Sequence, residues 1–415
     1  MDEHDRPALR SVETLAVPDR EHGRVIVLRD TQGISDGHAV LPPALLPIAA
    51  RFTGRLSCAQ IAAEVSEQLG TAMPVEVVVR LADELERGLF LEGAAFSAAR
   101  ARVVRQFADA PARPASHAGG AYYDEDAKLR GYIEKACLAK AARACTVGLG
   151  SGGAMVALVA PHIDPWRGAL GYGHAYGALA ASLPKDTDTF VLLGTSHAPM
   201  REPFALCRKD FETPLGLAPA DLPAIDDLAR CADGFDPYAD QFNHKREHSI
   251  EFQAVFLRHL LGQRPFHIVP VLAGLGVYQA SGEDPSHDPR VERFVAGLRA
   301  LVSARPGRVV LVAGADMAHV GPRFGDARAY DAGQRAALEQ ADRGSLERAT
   351  QLDAGAFWSD VVGDLDERRV CGLAPIWSLL RALPAGARGQ LLHYEQTVDG
   401  EDGSIVSHAA MGFYG

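Results

Sequence analysis

Three apolar runs of five or six residues, each broken off by a small polar cluster, constrain this chain more than any other feature. Val156-Ala157-Leu158-Val159-Ala160 leads into Pro161-His162-Ile163-Asp164. Thr189-Phe190-Val191-Leu192-Leu193 leads into Gly194-Thr195-Ser196-His197, and Arg308-Val309-Val310-Leu311-Val312-Ala313 into Gly314-Ala315-Asp316-Met317-Ala318-His319. Unbroken β-rich runs of this length suit parallel strands covered on both faces. Helix-like stretches alternate with them, near 173–183, 248–261 and 291–303, and a further strand is expected at Phe266–Leu272. Helices near 330–350, 354–364 and 373–382 follow, then strands at Gln390–Glu395 and Ile405–Tyr414. The pattern predicts an α/β fold with a mostly parallel sheet flanked by helices. In such open sheets the ligand crevice lies beyond the carboxyl ends of the strands, where the imidazoles and the carboxylate fall. A helix is expected over Asp126–Arg143, a flexible stretch at Gly148–Gly153 and a surface loop at Gly276–Pro289.

The chain upstream is different in kind. Arg24-Val25-Ile26-Val27-Leu28 reads as a strand and Pro42 to Phe52 as a short helix. Ser57-Cys58-Ala59-Gln60 has the form of a capping box opening the helix Ala59–Leu69, with Gly70 at its C-cap. Pro74 opens another helix through Leu89, and Leu89–Gly93 reads as a short return strand. These elements describe a small winged-helix-like α+β domain at 1–100. Residues 94–117 are rich in Ala, Arg and Pro and read as a linker, placed at 101–116. The domain at 117–415 completes the division.

Net charge excludes one function class. The chain carries 42 Lys and Arg against 53 Asp and Glu, a net −11, and residues 1–116 hold no lysine. Neither half offers the basic surface that nucleic acid requires. No apolar run approaches the ~20 residues of a membrane span, and the first residues are too charged for a secretory signal. The six cysteines show no close pairing, so the expectation is a protein of a reducing compartment, most simply the cytoplasm.

The polar clusters admit both structural and chemical readings. His162, held between Pro161 and Pro165, is either a helix-capping histidine or a ligand, and His197 occupies the equivalent position on another strand. Asp316 can cap a helix or face the crevice, with His319 three residues on sharing its face. Cys371, in Cys371-Gly372, stands at the mouth of a helix, where the N-terminus favours thiolate; a buried structural cysteine is the other reading. Glu247 complements a helix dipole or joins His248 and Glu251, which are spaced i,i+3 as a proton-transfer pair. Two His, one Asp and one Cys match mixed non-haem metal sites, with Fe(II), copper and zinc all compatible.

In these clusters the chain resembles the Memo family, also called the AmmeMemoRadiSam system protein B family. The likeness runs from Ala118-Gly119-Gly120-Ala121-Tyr122-Tyr123 through Pro161-His162, Gly194–His197, Glu247–Glu251, Asp316–His319 and Cys371-Gly372 to Gly403–Ala409. It implies an α/β/α sandwich similar to class III extradiol dioxygenases of the LigB type. It further implies His162, His197 and Cys371 as metal ligands, Asp316 as a fourth ligand or orienting group, and His248 and His319 as pocket-lining acid–base residues. Iron or copper and redox chemistry are associated with the family, and phosphotyrosine peptides with some members. Asp164-Pro165-Trp166-Arg167 and Ala198-Pro199 depart from its usual turns, and the cysteine departs from the ring-cleaving dioxygenases. The upstream domain resembles PqqD-like peptide-binding domains in element order and in Leu28-Arg29-Asp30 followed by Gly33-Ile34-Ser35. The expectation is therefore an iron or copper oxidoreductase acting on a small or peptide-borne substrate, with a peptide partner for the upstream domain. A non-catalytic peptide-binding module and a metal-dependent hydrolase are the alternatives.

Overall fold

The computed structural model describes residues 1–35, 37–144, 153–363 and 365–415. The flexible stretch expected at 148–153 lies, up to residue 152, outside the described residues. The chain forms two compact units, Met1–Ala110 with Pro322–Ala327, and Pro111–Gly321 with Arg328–Gly415.

In the first unit β1 (Glu13–Asp19), β2 (Gly23–Arg29) and β3 (His38–Leu41) form an antiparallel meander. Helices Cys58–Leu69 and Val75–Arg87 follow. The expected capping box is present at Ser57 and Gln60, and Gly70 closes the first helix in the left-handed region at φ 65°. Ile61, Val65, Val78, Leu81 and Leu85 bury one stripe of each helix against Ile48, Phe52 and Phe90. Residues 94–109 are not linker but a helix, Ala94–Asp109, burying Phe96, Ala99 and Phe107. Its apolar face is thinned by alanines and arginines, so composition there resembles a linker while spacing is helical.

The second unit is a mixed α/β structure on one central sheet. Its strands are β5 (Met155–Ala160), β6 (Thr189–Thr195), β7 (Phe204–Leu206), β9 (His267–Ala273), β10 (Val309–Gly314), β11 (Asp316–Val320), β12 (Arg388–Val398) and β13 (Ile405–Tyr414). The order is β11-β13-β5-β10-β6-β9-β7, with β12 on the other edge of β13. β5, β10, β6 and β9 are parallel, and the flanking strands are antiparallel. The parallel strands are buried along almost their whole length, as their unbroken apolar runs predict. A two-stranded parallel pair, β4 (Ala112–Arg113) with β8 (Asp210–Phe211), lies apart from this sheet.

Three local expectations need correction. The helix expected over Asp126–Arg143 is interrupted by a π-helical stretch, Ile133–Leu138. The expected loop 276–289 contains the short helix Gly276–Ser281 and a 3-10 turn at Pro285–His287. Asp316 begins a strand, not a helix, so the i,i+3 argument for His319 fails. Among the described residues, no helix is long and apolar enough to cross a membrane.

Candidate metal centre

Insertion of β10 between β5 and β6 brings three parallel strand ends side by side, carrying His162, Asp316 and His197. The helix His248–Leu261 meets the same ends. Its approach needs glycine beneath it: a Cβ at Gly314 would lie 2.1 Å from the Ser249 carbonyl oxygen, and one at Gly194 2.5 Å from Ser249 Oγ. Cys371 arrives from the loop before the helix Leu373–Ala382. Thr195 Oγ1 donates to the Cys371 carbonyl at 2.8 Å, fixing that loop to β6.

One nitrogen of each strand-end histidine is already committed. His162 Nδ1 lies 3.0 Å from the Gly314 carbonyl oxygen, which can only accept, so Nδ1 carries the proton and Nε2 the lone pair. That Nε2 lies 3.1 Å from Cys371 Sγ. His197 Nδ1 lies 3.0 and 3.1 Å from the two Glu247 oxygens, and its backbone N–H donates to Glu247 Oε2 at 2.9 Å. A carboxylate behind an imidazole in this way orients the remaining nitrogen. One donor atom each from His162, His197 and Cys371 lies within 4.8 Å of the other two. A second such group joins His197, Glu247 and His248.

Burial sets the protonation of the cluster. It holds His162 down to about 3, with the neighbouring His197 adding to the effect. Burial and then His197 likewise keep His248 well below its ordinary value. These imidazoles are neutral at physiological pH, which is the ligand form. Burial alone would raise Glu247, but the charge and hydrogen bonds of His197, with His248, hold it well below the carboxylate range. Cys371 corrects an expectation. Burial, and next the charge of Asp316, push its thiol well above the ordinary value, although it precedes a helix N-terminus. Without a cation beside it the sulfur stays protonated.

Asp316 joins neither group of converging donors. Its Oδ1 accepts the His162 backbone N–H at 2.9 Å, and Oδ2 lies 3.6 Å from His162 Nε2. Burial raises its carboxyl despite the nearby His408 and His319. A register shift between Asp316 and His319 opposes them to His408 and Val406, two residues apart on β13. The extra residue returns His319 to the Asp316 face, which an unbroken strand would deny it. His319 Nδ1 lies 3.2 Å from the Met317 carbonyl, and burial holds this ring down to about 4. The ring of His248 stacks on His197 at 4.5 Å and meets His162 at 5.2 Å. The expected His248–Glu251 pair does not form: Glu251 faces Arg113, His117 and Tyr122 instead.

Arg113, His117 and Tyr122 were not legible as site residues. Arg113 is fully buried and bonds the His244 carbonyl at 2.9 Å, the Glu247 carbonyl at 2.8 Å and the Glu251 carboxylate. Arginine four residues before a histidine carries no signal by itself.

Fold and site together define a mixed α/β protein whose mostly parallel sheet gathers imidazoles, carboxylates and a thiol at adjacent strand ends. A family profile described as Memo-like protein matches residues 113–412. The chain belongs to the Memo-like family. It is 26% identical over 395 residues to a MEMO1 family protein of Aquifex aeolicus, covering 95% of this chain and 97% of that one. A MEMO1 family protein of Methanosarcina mazei is 28% identical over 60% of this chain and 84% of its own length. One from Thermus thermophilus is 29% identical over 65% of this chain and 73% of its own.

Proposed function

We propose that the second unit is a non-haem metal oxidoreductase that holds iron or copper at His162, His197 and Cys371 and acts on a small or peptide-borne substrate. One observation carries this reading. Gly314 and Glu247 orient the two histidines through their Nδ1 atoms, and one donor atom each from His162, His197 and Cys371 converges to within 4.8 Å of the others. The donor chemistry fits such an ion, because a thiolate with imidazoles selects softer transition metals over magnesium or calcium. When bound, iron or copper would supply one-electron redox chemistry, and its charge would favour the deprotonated form of Cys371. Asp316 holds the His162 backbone, Glu247 orients His197, and His248 and His319 line the pocket. The exposed edges of His197 and His248, 34% and 29% of their side chains, leave room for a substrate to approach. For the first unit, peptide recognition by strand addition to its small sheet is the matching proposal.

The test is metal analysis and EPR on the full chain purified without chelator or affinity-tag metal. Iron or copper near stoichiometry is expected, lost in Cys371→Ser and in His197→Ala while circular dichroism is retained. Zinc as the sole resident ion would move the reading to a hydrolase. A chain that neither contains nor takes up any of the three would be a binding module.

A further inference from the structure

Glu251 lies one turn beyond Glu247 and is fully buried. Its carboxylate accepts from Arg113, from the Tyr122 hydroxyl, and twice from residue 117: the backbone N–H at 2.9 Å and ring Nδ1 at 2.8 Å. Burial alone would raise Glu251, but the charge of Arg113 and the His117 bond hold it down to about 2. At neutral pH it is an ionised group that only accepts. His117 Nδ1 therefore carries a proton, and Nε2 is the nitrogen left to exchange one. The His117 ring meets His248 edge-on at 5.6 Å and Phe252 at 5.8 Å, and its side chain keeps 23% exposure. His248 stacks in turn on His197, so His117 stands two rings from the converging donors with access to solvent. Burial keeps His248 and His319 neutral near physiological pH.

We propose that His117 is a further acid–base residue of this pocket, with Glu251 as its positioning carboxylate. The assignment deepens the oxidoreductase reading and rests on it for the reaction served. The substrate class is one with an ionisable O–H or N–H. His117 Nε2 takes that proton: the new N–H bond forms, the O–H or N–H bond breaks, and its electron pair stays on the substrate atom. The imidazolium keeps its Nδ1 hydrogen bond to the Glu251 carboxylate, and the proton returns to product or solvent through the exposed edge of the ring. Gripping both backbone and ring of one residue leaves His117 little freedom to turn away, which is the preorganisation a proton transfer needs.

The experiment uses the full chain labelled with nitrogen-15 histidine, as wild type, Glu251→Gln and His117→Gln, before and after addition of ferrous iron. Long-range proton–nitrogen correlations should show His117 protonated at Nδ1, with the lone pair on Nε2. Diethyl pyrocarbonate should modify His117 at Nε2, as read by peptide mass spectrometry. Glu251→Gln should lose the fixed tautomer, and His117→Gln should bind as much iron as wild type. A wild-type His117 protonated at Nε2, one inert to the reagent, or a tautomer indifferent to Glu251→Gln overturns the proposal. So does loss of iron in His117→Gln, which would make this residue a ligand. If Glu251→Gln does not fold, the wild-type tautomer and His117→Gln decide. A wild-type chain that takes up neither iron nor copper fails the oxidoreductase reading instead, while the tautomer still decides on the dyad.

Discussion

Glu247 and Glu251 sit one turn apart on one helix, are both buried and each hold a histidine, yet their charges are balanced in opposite ways. Glu251 has a permanent cation: Arg113 is wholly buried against it, and Tyr122 and His117 fill its remaining acceptor positions. Glu247 instead faces the imidazoles of His197 and His248. It caps the helix through the Ser249 N–H at 2.9 Å and receives the His197 ring and backbone. A helix N-terminus contributes only partial positive charge. One carboxylate is therefore matched by a guanidinium, and the other by imidazoles and a helix N-terminus beside the converging donors. The first arrangement pins the segment around His117; the second lies among the converging donors.

Arg113→Ala should break the comparison hardest. It strands Glu251 as a buried, uncompensated charge, and removing one partner of a buried pair costs about 3–5 kcal/mol. Denaturant unfolding should show that loss, whereas a change within 1 kcal/mol or so would mean that water already reaches Glu251. A second effect comes from His244, whose carbonyl Arg113 holds and whose ring burial keeps down to about 4 against 6.5 unfolded. The unfolded chain takes up its proton first as pH falls. Stability is therefore full above about 6.5 and is lost progressively toward 4, by a few kcal/mol at most. Stability curves of wild type and His244→Gln from pH 7 to 4 check this: the variant's should be flatter.

Glu247→Gln removes the orienting charge but keeps an acceptor for the helix cap. Metal affinity should fall about 10–100-fold with little change in unfolding. Equal affinity would deny Glu247 its part in the site, and gross unfolding would make it structural. Tyr122→Phe should be the mildest, about 1.5 kcal/mol, because Glu251 keeps its other donors. A larger loss would show that the hydroxyl, more than Arg113, anchors the segment.

The same contrast explains what could be read from sequence. His162, His197 and Asp316 were legible because each ends an apolar strand run, and β-sheet geometry puts such ends on one edge. Cys371 was legible as a candidate through its place at the mouth of a helix, but its protonation was not. That depends on Asp316 and on enclosure by segments remote in sequence. His117 was hidden for a similar reason. It sits beside alanine, proline and arginine that mimic a linker, and its partner Glu251 is 134 residues away. Glu251 itself was noticed, but helix spacing paired it with His248, because spacing cannot show which way a buried carboxylate turns. The bulge that restores His319 to the Asp316 face is likewise a property of pairing with β13 and leaves no local mark.

The place of β10 between β5 and β6 has a consequence for timing. During synthesis β5 and β6 emerge first, but they are not neighbours; the strand that joins them is made only at residue 309 and beyond. Pairings between parallel strands so distant in sequence form slowly, because a long loop must close first. Cys371 comes later still. A nascent or interrupted chain thus presents scattered imidazoles, each a weak trap for a passing ion. On the metal reading proposed above, tight capture would wait until the sheet is complete, and the order of strands would act as a checkpoint against premature loading.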